Sequence, residues 1–175
     1  RFAMAALAVN GIEGLRVSDM ELVAPGPSYT ADTLVGLRQR FDLDASQVFF
    51  ITGADAFAEI ETWSRYPDVL DLANFIVVSR PGLPLRVLRD RLPLLRDRMR
   101  LPLSARSSSP VARQETTIFL VAAPTTDISS TEVRRRIRDG ESLSGLVPAA
   151  VEHHIRQHGL YQPSPQSASK ADHLH

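Results

Sequence analysis

The sequence contains no cysteine. That excludes disulfides, thiolate metal sites and a cysteine nucleophile, and it fits a cytosolic setting without requiring one. Neither sign of charge is in excess: 20 Lys and Arg face 20 Asp and Glu, a formal net charge of zero. No global field therefore recruits nucleic acid or an acidic membrane, although local basic clusters remain. No apolar run approaches the roughly 20 residues of a membrane-spanning helix. No secretory leader is visible, because Arg1 opens directly into a helix-like segment. There is no internal repeat, and histidine is absent before His153. What is present is a chain of 175 residues, enough for one domain with a real core.

The chain is organised around Asp127-Ile128-Ser129-Ser130-Thr131-Glu132-Val133-Arg134-Arg135-Arg136-Ile137. It follows the apolar run Ile118-Phe119-Leu120-Val121-Ala122-Ala123, which reads as a buried strand ending at Pro124. Ser129, Ser130 and Thr131 are all good N-cap residues, with Glu132 in the first turn; Val133 and Ile137 give the new helix one apolar face. A helix start ringed by hydroxyls attracts an anion, and Arg134, one turn in, can fork onto a phosphate. The alternative is an ordinary capped helix with solvated arginines.

From the amino end, Phe2 to Val9 reads as the back half of a helix, ended by Asn10-Gly11. Leu15 to Leu22 alternates loosely and reads as a strand. After Ala24-Pro25-Gly26-Pro27, a helix opens at Ser28-Tyr29-Thr30-Ala31-Asp32-Thr33-Leu34, with Thr30 and Thr33 as caps and Leu34, Leu37 and Phe41 as its buried stripe. Val48 to Thr52 is a buried strand with Gly53-Ala54-Asp55 at its carboxyl end. Asp55 is there either a turn residue or, in a parallel sheet, a carboxylate for ribose hydroxyls. Phe57, Ile60 and Trp63 share a short amphipathic helix, and Trp63 is either core packing or part of an aromatic loop. Pro67 to Leu72 adds a helical turn, and Phe75 to Ser79 is another buried strand, followed by Arg80-Pro81-Gly82. Leu85 to Met99 is a basic helix interrupted by Pro93, a solvated face balanced by Asp90 and Asp97. Leu101 to Glu115 reads as a mobile linker. Leu143, Leu146 and Val147 pack down before a last helix, Ala149 to His158, stopped by Gly159. His154 and His158 lie four apart, but no third metal ligand is evident. Strands alternating with helices, with polar turns at strand ends, predict a doubly wound α/β sheet holding a phosphate-bearing ligand.

Several segments, in order, resemble bacterial nicotinate-nucleotide adenylyltransferase of the nucleotidylyltransferase superfamily. They are the Ser28–Leu34 stretch, Ile51-Thr52-Gly53-Ala54-Asp55, Thr62-Trp63, Val77-Val78-Ser79-Arg80-Pro81-Gly82, Asp127 to Arg134, and Leu146-Val147-Pro148 running to Gly159-Leu160-Tyr161. The resemblance implies a Rossmann-like nucleotidylyltransferase fold, mostly parallel, over residues 1–161, with 162–175 a disordered tail. It implies adenylyl transfer from ATP to nicotinate mononucleotide, giving nicotinate adenine dinucleotide and pyrophosphate in NAD biosynthesis. Mg²⁺ is implied on the ATP, a cytoplasmic location is expected, and neither nucleic acid nor membrane is a partner. Gly53, Asp55, Ser129, Ser130, Thr131 and Arg134 would hold ATP, with Arg134 the catalytic cation. Thr30, Trp63, Ser64 and Arg80 would hold nicotinate mononucleotide, and no protein side chain would ligate a metal.

In one respect the sequence departs from the family. The family opens with a strand running into a Gly-Gly-Thr-Phe-Asp-Pro-x-His-x-Gly-His loop, whose histidines stabilise charge on the phosphates. No such loop occurs here, and His153, His154 and His158 lie in the wrong segment to replace it. The expectation is therefore a fold lacking its first strand and phosphate-binding loop, with little or no turnover. Two other readings stand beside it: an inactive or regulatory nucleotide-binding module, and an adenylyltransferase for another acceptor such as nicotinamide mononucleotide or a pantetheine phosphate.

Overall fold

The structure, a computed structural model, describes residues 1–79, 85–101, 116–123 and 128–162. In chain order its elements are α1 (Phe2–Val9), α2 (Met20–Val23), α3 (Thr30–Phe41), β1 (Phe49–Gly53), α4 (Ala54–Phe57), β2 (Asn74–Val78), α5 (Leu85–Arg91), β3 (Met99–Arg100), β4 (Ile118–Val121), α6 (Ser130–Arg138) and α7 (Ala149–Gln157). They fall into two units, residues 20–126 and residues 1–19 with 127–175. The linker expected over 101–115, apart from Leu101, lies outside the described residues, as do Arg80, Asp127 and the 163–175 part of the expected tail.

The 20–126 unit is built on a four-stranded sheet in the order β1-β2-β4-β3, every neighbour parallel. Parallel strands cannot be joined by a tight turn, so each connection must cross over. Between β1 and β2 the crossover is α4 and two 3₁₀ turns, Ile60–Thr62 and Asp68–Asp71. Between β2 and β3 it is α5 and a 3₁₀ turn over Pro93–Arg98. The missing N–H and rigid ring of Pro93 split the expected basic helix there.

Side chains alternate across strands. Phe50, Phe75, Val77, Ile118 and Leu120 all join the main core, packed with Phe57, Ile60, Leu70 and Leu88. Phe57, Ile60 and Phe75 are fully buried, each contributing about 1.5–3 kcal/mol by leaving water. Phe49 and Ile51 fall on the other face and are exposed. The expected buried strand is therefore an edge strand with one wet face, because among the described residues β1 pairs only with β2.

The strand expected over Leu15–Leu22 is not formed. Residues 15–19 are irregular and α2 begins at Met20. Side-chain contacts with α3 take the place of a ladder. The Glu21 carboxylate accepts from Thr33 Oγ1 at 2.6 Å, the Glu21 carbonyl accepts from Ser28 Oγ at 3.4 Å, and Met20 rests over Gly36, where an added Cβ would meet its Cε at 3.2 Å. On α3, Leu34 is buried and Leu37 packs on the core, but Phe41 is exposed under Arg40; Ala31 takes the fully buried position instead. Arg98, expected on a solvated face, reaches inward: Nη2 donates to the Leu70 carbonyl at 2.8 Å and to Thr116 Oγ1 at 2.5 Å, and pairs with Asp71 at 2.9 Å. Arg96 keeps the exposed partner Asp90 at 3.0 Å.

The other unit has its own core of Leu143, Val151 and Ile155, with Met4, Leu7, Val133, Ile137, Val147 and Leu160 against it. Val133 and Ile137 thus form the expected apolar stripe of α6, and α1 packs against α7. Gly159 ends α7 with φ +56°, a conformation that favours glycine.

One buried amide ties the sheet together. Asn74 Nδ2 donates to the Ser46 carbonyl at 2.9 Å, and its Oδ1 accepts from Thr117 N–H at 2.9 Å, so β2 grips the starts of both neighbours. Asn74→Ala leaves those part-buried backbone groups without their amide partner and lowers the unfolding free energy by about 1 kcal/mol, read as a lower urea midpoint with unchanged slope.

Candidate functional site

Because the strands are parallel, their carboxyl ends share one edge of the sheet, where ligands bind in open α/β sheets. Gly53 closes β1 there and is the N-cap of α4; Asp55 stands exposed in the first turn. Ser79 leaves the end of β2, its N–H bonded to the Val121 carbonyl at 2.9 Å.

In the same unit, an open cavity of ≈ 270 Å³ lies between the start of α3 and the 62–64 turn, lined by Ser28, Tyr29, Thr30, Thr62, Trp63 and Ser64. Thr30, Trp63 and Ser64, some thirty residues apart in the chain, are thereby brought together. Trp63 answers both readings offered for it. It is half-buried, edge-on to Phe50 at 6.0 Å between ring centroids and 6.5 Å from Phe75, and it also walls the cavity. The capping roles expected for Thr30 and Thr33 do not hold. Tyr29 is the N-cap, with no side-chain bond, because Thr33 Oγ1 is spent on Glu21 and Thr30 is already the first helical residue. An ion pair not anticipated from sequence, Asp32 to Arg65 at 3.6 Å, joins α3 to the residue after Ser64. The start of a twelve-residue helix, several hydroxyls and an aromatic wall suit a flat, anionic group.

In the other unit, Ser129 is the N-cap of α6, its Oγ accepting from Glu132 N–H at 3.1 Å. Ser130 and Thr131 open the helix. The three arginines then divide. Arg135 grips Glu132 (2.9 Å), Asp139 (2.7 Å) and Glu141 (2.9 Å), and Arg136 grips Glu132 at 2.8 Å. The bonds to Glu132 and Asp139 follow i,i+3 and i,i+4 spacings that are legible in the sequence. Arg134 has no carboxylate partner among the described residues; its guanidinium lies over the Tyr161 ring, 5.7 Å from the centroid. No spacing in the sequence announces that contact.

The network sets protonation. Hydrogen bonds from Arg135, then Arg136, hold the Glu132 carboxyl at about 2, well below its ordinary 4.5. Arg135 likewise lowers Glu141, and Glu132 and then Glu141 raise Arg135. The His154 and His158 rings lie 4.4 Å apart between centroids, tilted by 54°, but among the described residues no three metal-binding side chains gather.

A family pattern described as cytidylyltransferase-like matches residues 1–136. The probable nicotinate-nucleotide adenylyltransferase of Desulfatibacillum aliphaticivorans is 36% identical over 169 residues, 92% of this chain and 74% of the relative. Its counterpart from Thermus thermophilus is 40% identical over 162 residues, 93% of this chain and 72% of the relative. Among solved structures, Plasmodium falciparum nicotinic acid mononucleotide adenylyltransferase complexed with APC superposes with TM-score 0.57 at 15% identity, covering 83% of this chain and 64% of that one. The same enzyme complexed with NaAD gives 0.52 at 15% identity, covering 77% and 58%. At that identity the likeness is one of fold, and the chain spans less than two thirds of either solved chain.

The lowered Glu132 carboxyl makes a signed prediction. Its pairing is complete above about 4.5 and is lost as pH falls through about 2. A carboxyl-carbon NMR titration is expected to give a Glu132 midpoint near about 2; a midpoint near 4.5 would contradict the network.

Proposed function

The chain belongs to the cytidylyltransferase-like family, whose pattern spans residues 1–136, and on that premise we propose that it transfers the adenylyl group of ATP to nicotinate mononucleotide. A phosphate oxygen of the mononucleotide attacks the α-phosphorus in line. The bond from the α-phosphorus to the bridging oxygen breaks, pyrophosphate leaves, and nicotinate adenine dinucleotide forms. Such a step needs no protein nucleophile, so catalysis is positioning and charge stabilisation.

The observation that carries the reading is the cavity that gathers Thr30, Trp63 and Ser64, residues the resemblance assigns to the nicotinate. In this reading the pyridine ring lies against Trp63, and its carboxylate meets Thr30 and the start of α3. The names of the relatives support the same acceptor. On the ATP side, Ser129, Ser130 and Thr131 offer hydroxyls and helix-start N–H groups to the phosphates, and Arg134 is the catalytic cation. Gly53 lets the nucleotide approach the end of β1, and Asp55 accepts from ribose hydroxyls. Arg80, outside the described residues, is proposed for the mononucleotide phosphate. The metal enters as Mg²⁺ on ATP, bound by the substrate's phosphates and neutralising part of their charge. Both substrates are metabolites of the cytoplasm, the proposed location, and no nucleic-acid or membrane partner is part of the reading. Among the described residues no helix is long and apolar enough to cross a membrane.

Pyrophosphate release from MgATP and nicotinate mononucleotide tests the proposal. Trp63→Ala is expected to raise KM for the mononucleotide about tenfold, with KM for ATP nearly unchanged. Arg134→Ala is expected to lower kcat/KM about a hundredfold. ATP binding without pyrophosphate release would overturn the proposal; indifference to the Trp63 change would remove the acceptor from this cavity.

A further inference from the structure

We propose that Tyr161 is a positioning residue for Arg134: its ring face holds the guanidinium where a carboxylate would otherwise occupy the N–H donors, and so leaves donors for phosphate. The inference rests on the phosphate role proposed above for Arg134.

The helix α6 offers a comparison within one turn. Arg135 spends Nε, Nη1 and Nη2 on Glu132, Asp139 and Glu141. Arg136 spends Nε on Glu132 and Nη1 on the Ser142 carbonyl. A guanidinium carries five N–H donors, all in its plane, and a carboxylate that holds it also occupies them. An aromatic ring attracts the cation through its face and takes no donor. Arg134, over Tyr161 at 5.7 Å, is held in this second way. It is therefore restrained and still able to fork onto a phosphate.

The backbone at Tyr161 points the same way. Its φ is +65°, a region that bulky residues rarely occupy and where glycine would fit at less cost. A tyrosine in that conformation points to a side chain that matters for what it touches. Burial does not explain the choice, since Tyr161 is 37% exposed. The turn that presents the ring is well anchored: Gly159 is also left-handed, and Leu160 packs into the core of its unit with its N–H on the Ile155 carbonyl at 3.0 Å.

The test is calorimetric titration of the full chain with inorganic tripolyphosphate and with MgATP. Tyr161→Leu is expected to weaken both about two- to fivefold, as the loss of one exposed cation–aromatic contact should. Tyr161→Phe, which keeps the ring face, is expected to stay within about twofold of the parent. In an Arg134→Ala background, Tyr161→Leu is expected to add no further loss, which a general structural defect would not satisfy. A Phe variant as weak as the Leu variant overturns the proposal, as does full additivity with Arg134→Ala. A parent chain that binds neither probe overturns the phosphate role of α6 and the role of Tyr161 with it. Parent binding that Arg134→Ala weakens and Tyr161→Leu leaves intact overturns the positioning role alone.

Discussion

The two-sided pairing of β2 is the constraint on which the 20–126 unit depends. Phe75 and Val77 are fully buried, and the strand bonds to β1 on one side and β4 on the other. Because both pairings are parallel, the chain must cross over after each strand, and the crossovers supply Phe57, Ile60, Leu70 and Leu88 to the core. Parallel direction also sends the strand ends to one edge. Gly53 and Ser79 leave the sheet there because of strand direction, before any demand of chemistry. Asn74 closes the opposite end, where its amide satisfies backbone groups of both neighbouring segments.

Packing and recognition are coupled at Trp63. Phe50 and Phe75 hold the indole from behind, so the ring that faces the cavity is positioned by the core itself. A side chain fixed in this way would lose little further freedom in the stacking role proposed for it. Thr30 and Ser64 offer hydroxyls beside a helix start, while the Asp32–Arg65 pair links the two segments. That pair is exposed, so its contribution to stability is small and its effect is on geometry.

In the 1–19 and 127–175 unit the organising principle is competition for donors. Three successive arginines on a nine-residue helix carry equal charge, yet their partners give them different roles. Carboxylates one turn away neutralise Arg135 and Arg136 and stiffen the helix. Arg134 has no carboxylate partner among the described residues and lies over an aromatic ring instead, which is compatible with the phosphate role proposed for it.

Much of this was legible in the chain itself. The apolar runs at 48–52, 75–79 and 118–123, separated by helical patterns, determined a parallel α/β sheet, because period and apolarity dictate which segments can be buried strands. The serine cap at 129 and the Val133–Ile137 stripe were local properties, and local rules found them. Leu15–Leu22 has the right alternation but became no strand, since a strand exists only where a neighbour offers its backbone, and Ser28 and Thr33 offered hydroxyl bonds to Glu21 instead. Phe49 and Ile51 looked buried because their run is apolar; which face meets the core is decided by pairing. Tertiary structure alone brought Thr30 to Trp63, Asp32 to Arg65 and Arg134 to Tyr161. Those contacts depend on where separate segments end in space, and no periodicity within a segment encodes a distance to another.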